Sequence, residues 1–73
     1  MRVSYAKLWH ILLNKHMTKE TFRKECGLSS NTIAKLGKGQ NVTTDVLVKI
    51  CKTLRCDISD IMELISNEEE KLR

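Results

Sequence analysis

Residues 17–39 read MTKETFRKECGLSSNTIAKLGKG, from Met17 to Gly39, and the fold turns on how this stretch divides. Two short amphipathic segments lie either side of Cys26-Gly27-Leu28-Ser29. In the first, Thr18 suits an N-cap, and Phe22 and Cys26 form the inward face of a helix ending at Cys26. Gly27 supplies a backbone able to take positive φ, which closes that helix and turns the chain. In the second, Ser29 caps a helix from Ser30 to Leu36 with Ile33 and Leu36 pointing inward, and Gly37-Lys38-Gly39 ends it. This is the layout of a helix-turn-helix: a supporting helix, a glycine-bearing turn, then a helix opening on small polar residues. The first turn of such a helix faces base edges, so its side chains must be short and able to hydrogen-bond.

The flanks extend the same pattern. Ser4 can cap a helix from Tyr5 to Lys15, in which Tyr5, Leu8, Trp9 and Leu12 share one stripe and Ile11 and Leu13 widen it. Beyond the quoted stretch, Gln40-Asn41-Val42-Thr43 reads as a loop, and Thr43 or Thr44 caps a fourth helix to about Arg55. Leu47, Ile50, Cys51 and Leu54 make its inward stripe, with Asp45 near the start and Lys52 and Arg55 near the end, as the helix dipole favours. A last helix is expected from Ser59 or Asp60 to about Ile65, with Ile61, Leu64 and Ile65 inward. No β-hairpin signal, internal repeat or low-complexity linker is present. The expectation is an all-α, compact five-helix domain over residues 1–66, with residues 67–73 an acidic tail that frays.

Composition narrows the function. Seventy-three residues suit one domain with a small core, 41% of them are apolar, and proline is absent. No run of about 18 apolar residues encodes a membrane span. The N-terminal segment lacks a small-residue cleavage site, so the chain reads as cytoplasmic. Cys26, Cys51 and Cys56 are odd in number and form no CxxC motif, and His10 and His16 have no ligand at metal-binding spacing. A disulfide framework and a zinc site are therefore not expected, and the cysteines read as small core residues. No paired carboxylates, Cys/His or Ser/His arrangement or phosphate-cradling loop is present, so neither catalysis nor a cofactor nor a small-molecule ligand is expected. Residues 1–56 hold eleven Lys/Arg against three Asp/Glu, a net +8, whereas residues 57–73 hold two against six, a net −4. A basic body of this kind suits a polyanion partner.

With the third helix in the major groove, Ser30, Asn31, Thr32 and Lys35 are the candidates for base or near-base contact. Asparagine pairs bidentately with adenine, lysine donates to guanine N7 or O6, and the threonine methyl meets the thymine methyl. The helix start at Thr18, with Lys19 beside it, suits a phosphate because its first N–H groups lack partners. Lys38 and Asn41, after the reading helix, are placed for flanking phosphates, which fix register without specifying sequence. Ser-Ser-Asn-Thr is also what a good helix cap looks like, and Ser29 is assigned to capping outright. Arg23 and Lys24 read as solvated surface, and Trp9 and Tyr5 as core rather than a stacking platform.

Several of these motifs together resemble the Cro/CI-type (XRE) helix-turn-helix proteins, in particular a subgroup of very small single-domain regulators. The pattern lies in Tyr5, Leu8-Trp9, Leu28-Ser29, Thr32-Ile33-Ala34-Lys35-Leu36, Gly39, Asn41-Val42, Val46-Leu47, Ile50-Cys51, Leu54, Cys56-Asp57 and Asp60-Ile61-Met62-Glu63, and covers roughly residues 3–65. The resemblance implies a five-helix fold, the third helix in the major groove, and transcriptional regulation. Three positions depart from it: Lys19 stands where glutamine is frequent, Arg23 where a small residue is usual, and Gly37 where a polar or acidic residue is common. A lone domain of this size makes few contacts, so a homodimer on a two-fold site of double-stranded DNA is expected. Ile61, Met62, Ile65 and Leu72 are candidates for its surface. The alternative reading is a protein-interaction module such as an antitoxin or anti-repressor.

Overall fold

Among the described residues, three helices start on a hydroxyl, and all four end on one backbone motif. In the computed structural model, which describes residues 1–66, α1 spans Ala6–Asn14, α2 Lys19–Cys26, α3 Ser30–Gly37 and α4 Thr44–Leu54. Thr18, Ser29 and Thr43 cap α2, α3 and α4, each side chain accepting from the N–H three residues on. At each C-terminus a residue with positive φ reverses the chain: His16 (55°), Gly27 (70°), Gly39 (71°) and Arg55 (54°). The following N–H then reaches back five residues, Met17 to Leu12 O, Leu28 to Arg23 O, Gln40 to Lys35 O and Cys56 to Cys51 O, at 2.9–3.0 Å. This is the Schellman closure, and it satisfies helix carbonyls that would otherwise lack partners.

The start of α1 differs from the expectation. Tyr5 occupies the cap position without a side-chain cap bond, and Ser4 lies in a strand, although its hydroxyl still accepts from Ala6 N–H at 3.3 Å. The helix also stops at Asn14, one residue short of Lys15.

The larger correction is at the C-terminal end. There are four α-helices among the described residues, not five, and the fold is not all-α. Where the fifth helix was expected, Ile58–Asp60 forms one 3-10 turn and Glu63–Ile65 forms a strand, β2. It pairs antiparallel with β1, Arg2–Ser4, in the register Arg2 with Ile65, Val3 with Leu64 and Ser4 with Glu63. The Asp60 carboxylate accepts from Asp57 N–H at 2.9 Å, which closes the turn and takes the place of a helix start. After it, the backbone donors of residues 63–65 find a partner sixty residues away, and that pairing overrides a short ambiguous apolar run. Residues 67–73, including the expected frayed tail and the dimer candidate Leu72, lie outside the described residues.

The core joins every helix: Tyr5, Leu8, Leu12, Phe22, Cys26, Leu28, Leu36, Ile50, Leu54 and Ile61 are buried. Phe22, Leu8, Ile50 and Ile61 are wholly inaccessible. Most inward positions read from the periodicity hold, with Trp9, Ile33, Leu47 and Cys51 packed at the margin of the core. Two do not, for Leu13 is 72% and Leu64 64% exposed. Leu13 lies on the far side of a helix only nine residues long, and strand geometry moves Leu64 off the inward face that a helix would have given it. Lys7 crosses to the C-terminal segment, donating to Ser59 O at 3.1 Å and lying 4.0 Å from the Glu63 carboxylate.

Candidate nucleic-acid interface

The geometry of α3 follows from its two ends and its apolar side. Ser29 Oγ accepts from Thr32 N–H at 3.1 Å, fixing the first turn, and the Gly39 closure fixes the last. Leu36 is buried and Ile33 and Thr32 are half-buried, so the remaining positions face outward. Ser30, Ala34 and Lys38 make one row on that side and Asn31 and Lys35 a second, each spaced by four residues. Ser30, Asn31 and Lys35 therefore share one exposed surface. Thr32 sits at its edge, with its hydroxyl 3.0 Å from Ser29 Oγ as part of the cap.

Ala34 is a member of that surface which the sequence reading left out. Its place in the row of Ser30 was legible from the four-residue spacing, but an alanine carries no polar group to draw attention. On such a face its methyl is the right size to meet a thymine methyl.

The supporting helix is held against the turn by Arg23. Its guanidinium takes the Glu20 carboxylate through two donors, at 2.7 and 3.0 Å, and a third N–H donates to Leu28 O at 3.2 Å. Read from sequence as solvated surface, Arg23 is a brace between α2 and the turn that leads into α3. Arg23 lowers the Glu20 carboxyl below its ordinary range, chiefly by hydrogen bonding, and Glu20 in turn raises Arg23.

Among the phosphate candidates, Thr18, Lys19, Lys38 and Asn41 are all exposed. Thr18 Oγ1 accepts from Thr21 N–H at 3.1 Å and donates to Thr21 Oγ1 at 2.9 Å, so its hydroxyl is occupied in the cap. The Lys19 ammonium stands over the Trp9 ring, 4.5 Å from its centroid. Trp9 is half-buried, with one face against the core, and Tyr5 is buried with its hydroxyl donating to Gln40 O at 2.9 Å. That bond ties the loop after α3, and so Asn41, to the start of α1.

The three thiols are free, and burial is the main cause raising the pKa of each. Such thiols are poor nucleophiles at neutral pH. Among the described residues no group of three or more His, Cys, Asp or Glu could hold a metal ion, and no helix is long and apolar enough to cross a membrane.

This architecture has known counterparts. The family model for the Cro/C1-type HTH DNA-binding domain matches residues 7–67. The crystal structure of the transcriptional regulator VanUg, form II, is similar with a TM-score of 0.87 and 47% identity, covering 90% of this chain and 88% of that one. No curated protein matches.

Proposed function

Because the chain belongs to the Cro/C1-type helix-turn-helix DNA-binding family, we propose that it is a sequence-specific transcriptional regulator that lays α3 in the major groove. One observation carries the reading: a short helix fixed at both ends presents Ser30, Asn31, Ala34 and Lys35 on a single exposed face. Asn31 and Lys35 supply donors and an acceptor for base edges, and Ser30 and Ala34 are small enough to let the helix approach closely. Lys19, Lys38, Asn41 and the N-terminus of α2 at Thr18 hold phosphates and set the register. The VanUg likeness supports a role in transcription.

Two copies act on a two-fold site, with half-sites about 34–36 Å apart, because one domain offers few base contacts. Ile61 is fully buried and so serves the core rather than a dimer surface, whereas Met62 and Ile65 are half-buried and Leu64 is exposed near the chain end.

The test is selection from a random duplex pool at two salt concentrations, with wild type beside Asn31→Ala. A motif that loses definition at one position in Asn31→Ala is the expected result, and a two-fold motif supports the dimer. Uniformly weak, strongly salt-dependent binding that ignores the substitution would mean phosphate attraction alone and sink the reading.

A further inference from the structure

Cys51 and Cys56 stand at the two ends of the closure that stops α4. Cys56 N–H donates to Cys51 O at 3.0 Å, and Arg55, just before Cys56, holds φ at 54°. In a Schellman closure the residues at these two positions bring their side chains together. The matching positions at the end of α1 carry Leu12 and Met17, an ordinary apolar pair. At the end of α4 they carry two thiols, which hydrogen-bond each other. Both are half-buried and within reach of solvent, whereas Cys26 is buried with its thiol hydrogen-bonded to Thr53.

Packing explains an apolar side chain at each position but not a sulfur at both. A disulfide needs Cα atoms about 4.4–6.8 Å apart, and a direct backbone hydrogen bond already ties these two residues together. The sequence carries no CxxC motif to mark the pair, because residues at this spacing meet only through the left-handed turn at Arg55.

We propose that Cys51 and Cys56 form a reversible intrachain disulfide when the protein meets a hydroperoxide, stapling the last turn of α4 to the segment that leads into the 3-10 turn. The Cys51 thiolate attacks the peroxide. An S–O bond forms as the O–O bond breaks, and the thiol's proton leaves with the departing alcohol or water. Cys56 then attacks the sulfenic acid, so that the S–S bond forms, the S–O bond breaks and water departs with the Cys56 proton. Two electrons pass from the thiols to the peroxide, and a dithiol reductant restores them. Burial, together with the carboxylates of Asp57 and Asp60, raises both thiols and keeps them protonated. Closure is therefore slow and answers sustained oxidant rather than a brief pulse. A staple gained under oxidising conditions supports a domain with a small core and spares both sulfurs from irreversible oxidation.

The experiment treats the full chain with hydrogen peroxide and maps it with trypsin without reduction, beside Cys26→Ser, Cys51→Ser and Cys56→Ser. Wild type and Cys26→Ser are expected to lose two hydrogens from the intact chain and to yield peptide 50–52 joined to peptide 56–71. Their oxidised forms unfold at a higher urea midpoint than the reduced ones, and dithiothreitol reverses the link and the shift. Cys51→Ser and Cys56→Ser, shown to be folded by circular dichroism, gain no midpoint on oxidation. The proposal is overturned if the product links Cys26, joins two chains, stops at sulfinic acid on Cys51 or Cys56, or lowers the urea midpoint. A folded chain that keeps all its thiols through prolonged exposure, while the urea-unfolded chain forms the link, overturns it equally.

Discussion

His16 and Arg55 hold the left-handed backbone at φ 55° and 54°, where Gly27 and Gly39 hold the same closure without a Cβ. A side chain in that region costs roughly 1–2 kcal/mol because Cβ crowds the carbonyl. His16→Gly and Arg55→Gly are each expected to raise stability by about 1 kcal/mol, read from urea midpoints. Gly27→Ala should lower it by about 1–2 kcal/mol even though nothing stands within 4 Å of the new methyl, because the cost is backbone strain alone. Legibility differed among such positions. Gly27 announced its turn in the sequence, whereas His16 and Arg55 carry no mark of positive φ. Arg23 was legible as a charge but not as a brace, since its partners Glu20 and Leu28 O come together only when the turn forms.

At the scale of elements, the Arg23 brace carries a pH dependence. Glu20 has a lowered pKa in the folded chain, so its contribution is fully present above the unfolded carboxylate value and is lost as pH falls through the folded one. NMR titration should show the Glu20 pKa rising in Arg23→Gln; an unmoved value would remove Arg23 as the cause. The helix caps give a second prediction, that Ser29→Ala costs about 1 kcal/mol by freeing Thr32 N–H. The four helices were readable because caps, stops and stripes all lie within one or two turns of each other. The strand at Glu63–Ile65 was not, because only β1 at the other end of the chain makes it a strand.

For the molecule as a whole, one small core joins the four helices of the described residues, and each buried residue in it carries a large share of the stability. Phe22 is completely inaccessible, and Phe22→Ala is expected to cost about 3–5 kcal/mol, enough to unfold much of a domain whose total is of order 5–15 kcal/mol. Circular dichroism melts would register this directly. Removing residues 1–4 takes away the partner of β2, so amide exchange at Glu63–Ile65 should accelerate well before that of α4 does. The sequence by itself determined the starts of α2, α3 and α4, the turn at Gly27 and the composition of the face Ser30, Asn31 and Lys35, because local hydrogen bonds and 3.6-residue periodicity set them. Tertiary structure alone decided the strand pair, the bridge from Tyr5 to Gln40 and the place of Lys19 over Trp9. Each of these joins residues distant along the chain, and no local preference encodes which partner arrives.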